Sequence, residues 1–111
     1  MASKELVAAS ARPLLLSLLA DGEDYGYSLI RRVRDLSDGK LEWSEGMLYP
    51  VLHRLENERL IQARWKRSDE TGRQRKYYRL RASGKRAAAA EREAWMDVHS
   101  TLARLWRATA V

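Results

Sequence analysis

Apolar residues in the first half of the chain recur at helical spacing in three separate segments. They predict helices over about Lys4–Ala20, Tyr25–Ser37 and Ser44–Glu58. We expect Asp24 to cap the second helix and Ser44 the third, because short polar side chains accept hydrogen bonds from first-turn amides. The inward face of the second helix is predicted to comprise Tyr27, Leu29, Ile30, Val33 and Leu36.

Past the third helix the spacing of apolar residues changes to two. Apolar and polar side chains alternate in residues 61–66 and again in residues 75–80, and this alternation predicts two strands. Residues 68–72 between them form a turn cluster that contains glycine, so the strands are expected to pair as a β-hairpin. We expect Trp43 and Trp65 to lie in the core of this hairpin.

The last predicted helix covers about Ser83–Ala108, with Ser83 as its expected cap. Apolar residues recur along it at alternating spacings of three and four, which is typical of a coiled-coil seam. Nothing later in the sequence would cover this broad apolar face, and we therefore expect a second copy of the chain to cover it. The predicted homodimer interface comprises Leu6, Ala88, Trp95, Val98, Leu102, Leu105 and Trp106.

These elements predict a mainly α fold with a small β-hairpin, namely a winged helix-turn-helix in residues 1–82 followed by a C-terminal dimerisation helix in residues 83–111. A length of 111 residues suits one small domain. The sequence has no cysteine, which excludes disulfides and thiolate metal sites, and its two histidines do not predict a metal site. No apolar run approaches the roughly 18 residues of a membrane span. We expect a cytoplasmic protein without membrane contact.

The net charge of +6 is concentrated in one segment. Residues 60–81 contain eight basic residues against Asp69 and Glu70, so this segment accounts for the whole excess. A basic segment on an otherwise balanced chain is typical of a protein that binds a polyanion, and a solvated charged face is the alternative. The basic residues are Arg64, Lys66, Arg67, Arg73, Arg75, Lys76, Arg79 and Arg81.

A winged helix-turn-helix meets double-stranded DNA with its third helix in the major groove and its hairpin on neighbouring phosphates. For Tyr49 we weigh contact with a phosphate or base against packing on the predicted hairpin, which is the wing of such a fold. For His53 the alternatives are base contact and solvation, and for Met47 they are a thymine methyl contact and half-buried packing. The predicted DNA-contacting residues are Ser44, Met47, Tyr49, His53, Arg73, Arg75, Lys76 and Tyr77.

Three sequence motifs carry a resemblance to a known family. They are Tyr-Gly-Tyr at 25–27, Gly-Met-Leu-Tyr-Pro-Val-Leu-His-Arg-Leu-Glu at 46–56 and Arg-Lys-Tyr-Tyr-Arg-Leu at 75–80. With them, residues 14–80 resemble transcriptional regulators of the PadR family, which implies a DNA-binding winged helix-turn-helix. The single terminal helix is similar to the short PadR subfamily, whose members include multidrug sensors such as LmrR.

The resemblance extends to Glu-Ala-Trp-Met-Asp-Val at 93–98, where Trp95 matches a Trp that lines the dimer interface in the short subfamily. Trp95 is then either dimer core or a platform on which a flat aromatic or cationic molecule stacks, and a lone surface Trp is the third alternative. The resemblance implies an effector site of Trp95, Leu6, Glu91 and His99. The leading hypothesis is a repressor that such a small-molecule effector releases from DNA.

Two other classes of function compete with this hypothesis. A winged-helix protein-interaction or architectural module would have no specific operator, and its binding to DNA would depend on salt without sequence preference. An enzyme would need a nucleophile beside a base, a metal cluster or a phosphate-binding loop, and the sequence predicts none of these. We therefore expect no catalytic residue and no cofactor.

Overall fold

The computed structural model describes residues 3–109. Residues 1–2 and 110–111, which are the outer ends of the two predicted domains, lie outside the described residues. The chain is mainly helical with a small antiparallel sheet, as predicted. Its elements are α1 (Lys4–Ala20), β1 (Asp24–Tyr25), α2 (Gly26–Leu36), α3 (Glu45–Asn57), β2 (Ile61–Arg67), β3 (Gln74–Leu80) and α4 (Ala82–Thr109).

Serine caps begin the first and third helices. The Ser3 hydroxyl oxygen accepts a hydrogen bond from the Leu6 amide at 3.2 Å, and Ser44 accepts one from the Met47 amide at 3.1 Å. The predicted cap at Ser44 is thus confirmed. α1 continues through Pro13 without a break.

The sheet has the strand order β1-β3-β2, and all pairs are antiparallel. The predicted hairpin is confirmed, with Ile61 opposite Leu80 and Arg67 opposite Gln74. Its turn closes through a 2.7 Å hydrogen bond from the Ser68 amide to the Arg73 carbonyl. We call β2, β3 and the turn between them the wing.

The short strand β1 was not predicted, and it corrects the expected cap of α2. Asp24 and Tyr25 pair with β3, so Tyr25 is the residue that precedes the helix. The Asp24 carboxylate is largely buried, and it accepts hydrogen bonds from the Ser28 hydroxyl and from the Arg32 guanidinium. It thereby holds the first turns of α2 through side chains and does not cap the helix.

One core lies between α1, α2, α3 and the sheet, and Trp43 belongs to it. Three expected core residues are exposed instead: Tyr27 by 58%, Leu36 by 74% and Trp65 by 64%. Tyr27 and Leu36 lie in the first and last turns of α2, and Trp65 lies in the distal half of β2, beyond the buried Ile61. The largest of the fully or nearly buried side chains are Leu15, Leu16, Leu29, Val33, Leu48, Leu52, Leu55, Ile61 and Tyr78.

The start of α4 also differs from the prediction. The Arg81 carbonyl accepts the first helical hydrogen bond, from the Lys85 amide at 3.0 Å. Ser83 is therefore already inside the helix, and its hydroxyl donates to the Arg59 carbonyl at 2.6 Å. Ser83 thus fastens α4 to the segment after α3 and does not cap the helix. None of the helices within residues 3–109 is long and apolar enough to cross a membrane.

Candidate nucleic-acid interface

α3 is an amphipathic helix with a core side and an exposed side. Leu48 and Leu52 anchor the core side. Ser44 and His53 are exposed on the other side, and Tyr49 is 36% exposed. Met47 is half-buried against the core, which agrees with the packing alternative for this residue. Its contact with a thymine methyl stays a prediction.

Tyr49 packs against the start of α2. A methyl group built on Gly26 would collide with the phenol oxygen of Tyr49, so a larger residue at this position would displace the Tyr49 ring. The Tyr-Gly-Tyr motif therefore combines a strand residue, a close helix contact and the exposed Tyr27. Tyr49 also lies across an open space from the wing residues Trp65 and Lys76, and its contact with a phosphate or base stays a prediction.

An open groove of about 320 Å³ separates the wing from the start of α2 and α3. Trp65 and Lys76 are cross-strand partners on the wing side, and Tyr27 and Tyr49 lie on the helix side. We call this the wing groove. The groove is flanked by aromatic rings and by cations, a combination that suits the sugar and phosphate of a nucleic-acid strand. Its remaining lining residues are Tyr25, Gly26, Gln74 and Arg75.

The four predicted wing residues do not share one face. Arg73 is exposed in the turn. Lys76 lines the wing groove, whereas Tyr77, its neighbour in an extended strand, points to the other face of the hairpin. Arg75 lies with its guanidinium carbon 4.3 Å from the ring centre of Tyr25, at the border between the groove and the outer face.

The outer face of the wing contains an aromatic pair and an acid. Tyr25 and Tyr77 meet edge to face with ring centres 5.4 Å apart. Beside them, the Glu23 carboxylate accepts hydrogen bonds from Arg64 and Lys66, which lower the pKa of Glu23 to about 2. Two of the eight cations in the basic segment are thus paired with an acid.

A second groove, of about 420 Å³, lies between α1 and α4. Pro13 and Leu14 of α1 form one wall, and Trp95, Met96 and His99 of α4 form the other. Trp95 is 39% exposed. Two of the four predicted effector residues, Trp95 and His99, therefore meet in this α1–α4 groove.

The other two predicted effector residues, Glu91 and Leu6, do not line this groove. The Glu91 carboxylate accepts a 2.7 Å hydrogen bond from Arg12, which also pairs with Glu58 at 2.8 Å. Leu6 is exposed near the start of α1. Of the predicted dimer residues, Ala88 is half-buried beside the core, and the remaining α4 residues are exposed: Trp95, Val98, Leu102, Leu105 and Trp106.

Sequence reasoning missed Tyr27 and Trp65 as groove residues and Glu23 as a partner of the wing. The apolar spacing of Tyr27 and Trp65 is the same for a core residue and for an exposed one, so it gave no signal. Glu23 meets Arg64 across 41 positions of sequence, and no local pattern marks such a pair. No group of His, Cys, Asp or Glu side chains among residues 3–109 is arranged to hold a metal ion.

Comparison with known proteins agrees with this architecture. The profile of the "Transcriptional regulator PadR-like family" matches residues 15–90. An uncharacterised protein from Lysinibacillus sphaericus is 26% identical over 98 residues, which cover 88% of this chain and 89% of that protein.

Solved structures of regulators share the fold. A transcriptional regulator from Clostridium thermocellum is 26% identical with a TM-score of 0.80, and the match covers 94% of this chain and 97% of that one. A PadR-like transcriptional regulator from Bacillus cereus is 27% identical with a TM-score of 0.81, over 92% and 96% of the two chains. Because the family profile covers more than half of the sequence and the same fold recurs in these regulators, this chain belongs to the PadR-like family of transcriptional regulators.

Proposed function

We propose that this chain is a sequence-specific DNA-binding transcriptional regulator that acts as a homodimeric repressor. The observation that carries the proposal is the junction of α3 with the wing groove, because it joins a helix of major-groove size to a basic hairpin. Membership of a family of transcriptional regulators supports it independently. Action on chromosomal DNA implies a cytoplasmic protein.

In the proposed complex the exposed side of α3 enters the major groove. Tyr49 and His53 face base edges or phosphates there, and Met47 offers an apolar contact to a thymine methyl. The Ser44 oxygen already accepts the capping hydrogen bond, so its hydroxyl proton is the group available to a phosphate. The wing contacts adjacent phosphates through Arg73, Arg75, Lys76 and Tyr77.

We further propose that residues 1–82 form the DNA-binding domain and that the helix of residues 83–111 joins two copies of it. Exposed apolar side chains on α4 support this division, since a solvent-facing row of Trp95, Val98 and Leu102 is what a partner helix would cover. Leu105, Trp106 and Leu6 extend the same proposed interface, and Ala88 lies at its inner end.

We also propose that the chain has an effector site, as expected for a member of the short, LmrR-like subfamily. Trp95 and His99 in the α1–α4 groove support it, and a flat aromatic or cationic molecule is the proposed ligand. Glu91 and Leu6 would contribute from outside that groove. An aromatic dye should quench tryptophan fluorescence in the native protein and not in Trp95→Ala; equal quenching in both would contradict the platform role.

One DNA titration tests the main proposal. A labelled duplex from upstream of the protein's own gene is titrated by fluorescence anisotropy at several salt concentrations, beside a scrambled duplex. The combined variant Arg73→Ala and Arg75→Ala should bind both duplexes more weakly, and its salt slope should be flatter by about 1 for each lost phosphate contact.

Arg104→Ala, which removes an exposed charge from α4, is the matched control and should bind as the native protein does. Unchanged affinity and slope in the wing variant would contradict the wing contacts. Equal affinity of the native protein for both duplexes would favour an architectural module over a sequence-specific regulator.

A further inference from the structure

Three wing-associated groups form a compact ionic cluster on the outer face of the wing. Glu23 lies in the turn before β1, and Arg64 and Lys66 lie on β2. Arg64 donates from Nε to Glu23 Oε2 at 3.2 Å and from Nη2 to Oε1 at 3.1 Å. Lys66 donates from Nζ to the same Oε1 at 2.6 Å. We call these residues the Glu23 cluster.

The donors of the Glu23 cluster have the arrangement that a phosphate oxygen pair requires. A guanidinium offers two parallel N–H groups to two oxygens of one anion, and a nearby ammonium adds a third donor. Lys66 also lies 4.6 Å from the ring centre of Tyr77, which fixes the direction of its chain. The carboxylate of Glu23 thus occupies a place that matches a phosphodiester in shape and charge.

The donors of this cluster are open to a competing anion. The side chains of Arg64 and Lys66 are 57% and 42% exposed, while that of Glu23 is 23% exposed. The two cations are the exposed members of these ion pairs, so a phosphate can approach them from solvent and compete with the carboxylate. The low pKa of Glu23, about 2, keeps it negatively charged at any pH at which DNA binding is measured.

The surroundings of the cluster are charged with both signs. Asp69 and Glu70 of the turn line a shallow depression beside Lys66 and Arg75. The outer face is therefore less positive than its content of basic residues suggests. Glu23 is the acid that contacts Arg64 and Lys66 directly, and so its charge has the largest effect on them.

We propose that Arg64 and Lys66 form a phosphodiester-binding site on the outer face of the wing, which Glu23 occupies in the free protein as an internal competitor that limits affinity for DNA. This inference rests on the proposed DNA-binding function. Glu23 raises selectivity in this arrangement, because sequence-independent binding depends mostly on the number of cations available to phosphates. Contacts of α3 with bases are unaffected by it.

Glu23→Gln tests the proposal, since it removes the charge and retains the size of the side chain. The variant should bind a scrambled duplex about three- to tenfold more tightly at 100 mM salt, and its salt slope should steepen by about 0.9 for each of the two cations that gains a phosphate. Glu93→Gln on α4 changes the net charge equally and should leave affinity and slope near the native values.

Replacing Arg64 and Lys66 by Gln in the Glu23→Gln background should abolish the gain. Affinity for DNA in Glu23→Gln that is equal to or weaker than that of the native protein would overturn the inference, while the proposed function would stand on native binding. Failure of the native protein to bind any duplex would overturn the proposed function itself.

A second measurement uses the native protein and does not depend on a variant. The Arg64 Nε–Hε resonance is followed by NMR while a scrambled duplex is added. Exchange of the Glu23 carboxylate for a phosphate should shift this resonance as DNA saturates the protein. A resonance that stays in place at saturation would overturn the inference.

Discussion

Gly84 allows the start of α4 to lie close to the sheet, because it has no side chain. A methyl group at this position would collide with the carbonyl oxygen of Leu60 and would lie 3.1 Å from Leu80 Cδ2. The Leu60 carbonyl cannot move away freely, because it accepts a 2.9 Å hydrogen bond from the Arg81 amide. The start of α4 therefore lies directly against the chain that enters β2.

Gly84→Ala should lower the free energy of unfolding by about 1–3 kcal/mol, as overpacked substitutions do. Gly46→Ala is the matched control, because the nearest atom to its added methyl group is Ser44 Oγ at 3.8 Å. In the helical setting of α3 the control should stabilise the protein by about 0.5–1 kcal/mol. Urea unfolding followed by circular dichroism measures both, and equal effects of the two substitutions would contradict the close contact.

At the same scale, local signals predicted some residues well and others poorly. The Ser44 cap was predictable because its hydrogen bond closes within three residues. The exposure of Trp65 was not, because alternation along a strand shows which face a residue shares and not how far the helices cover that face. Tyr78 and Trp65 point the same way, yet Tyr78 is buried and Trp65 is open.

Among the secondary-structure elements, α1 packs against both α3 and α4 and joins them through one side chain. Its Arg12 donates from Nη1 to Glu58, just after α3, and from Nε to Glu91 of α4. The neighbouring guanidinium holds the pKa of Glu58 below its usual value. One side chain thus ties three helices together at a partly exposed site.

Arg12→Gln should lower the free energy of unfolding by about 0.5–1 kcal/mol near neutral pH, since both of its pairs are partly exposed. Because the folded-state pKa of Glu58 is lowered, its contribution is present above pH 4.5 and is lost as the pH falls. Thermal unfolding of native and variant protein from pH 7 to pH 3 should show the difference shrinking.

Arg34→Gln removes a looser, more exposed pair with Asp35 at 3.8 Å and serves as the control, with an effect below about 0.5 kcal/mol. A difference between native protein and Arg12→Gln that grows on acidification would contradict this role of Arg12.

Some elements depend on local sequence signals, and others depend on contacts between residues that are far apart in the sequence. The four helices and the hairpin were predicted within a few residues, since caps, apolar spacing and the turn act locally. The strand β1 has two residues, and only pairing with β3, which places Asp24 opposite Tyr78 across 54 positions of sequence, makes it a strand. For the same reason the wing groove, which joins residues of α2, α3 and both hairpin strands, could be predicted only in part.

At the scale of the whole molecule, the described residues extend 57 Å along the longest axis. The first half of α4 packs on α1, with Ala87 and Ala88 against the core, and the helix then continues with Val98 and Leu102 exposed. In the proposed dimer this continuation pairs with its copy.

Hydroxyl-radical footprinting on the DNA upstream of the protein's own gene tests the central claim most directly. Two DNA-binding surfaces joined through α4 should protect two segments of an inverted repeat whose centres lie about 10 base pairs, or one helical turn, apart. A single protected segment without symmetry, or cleavage identical with and without the protein, would contradict it.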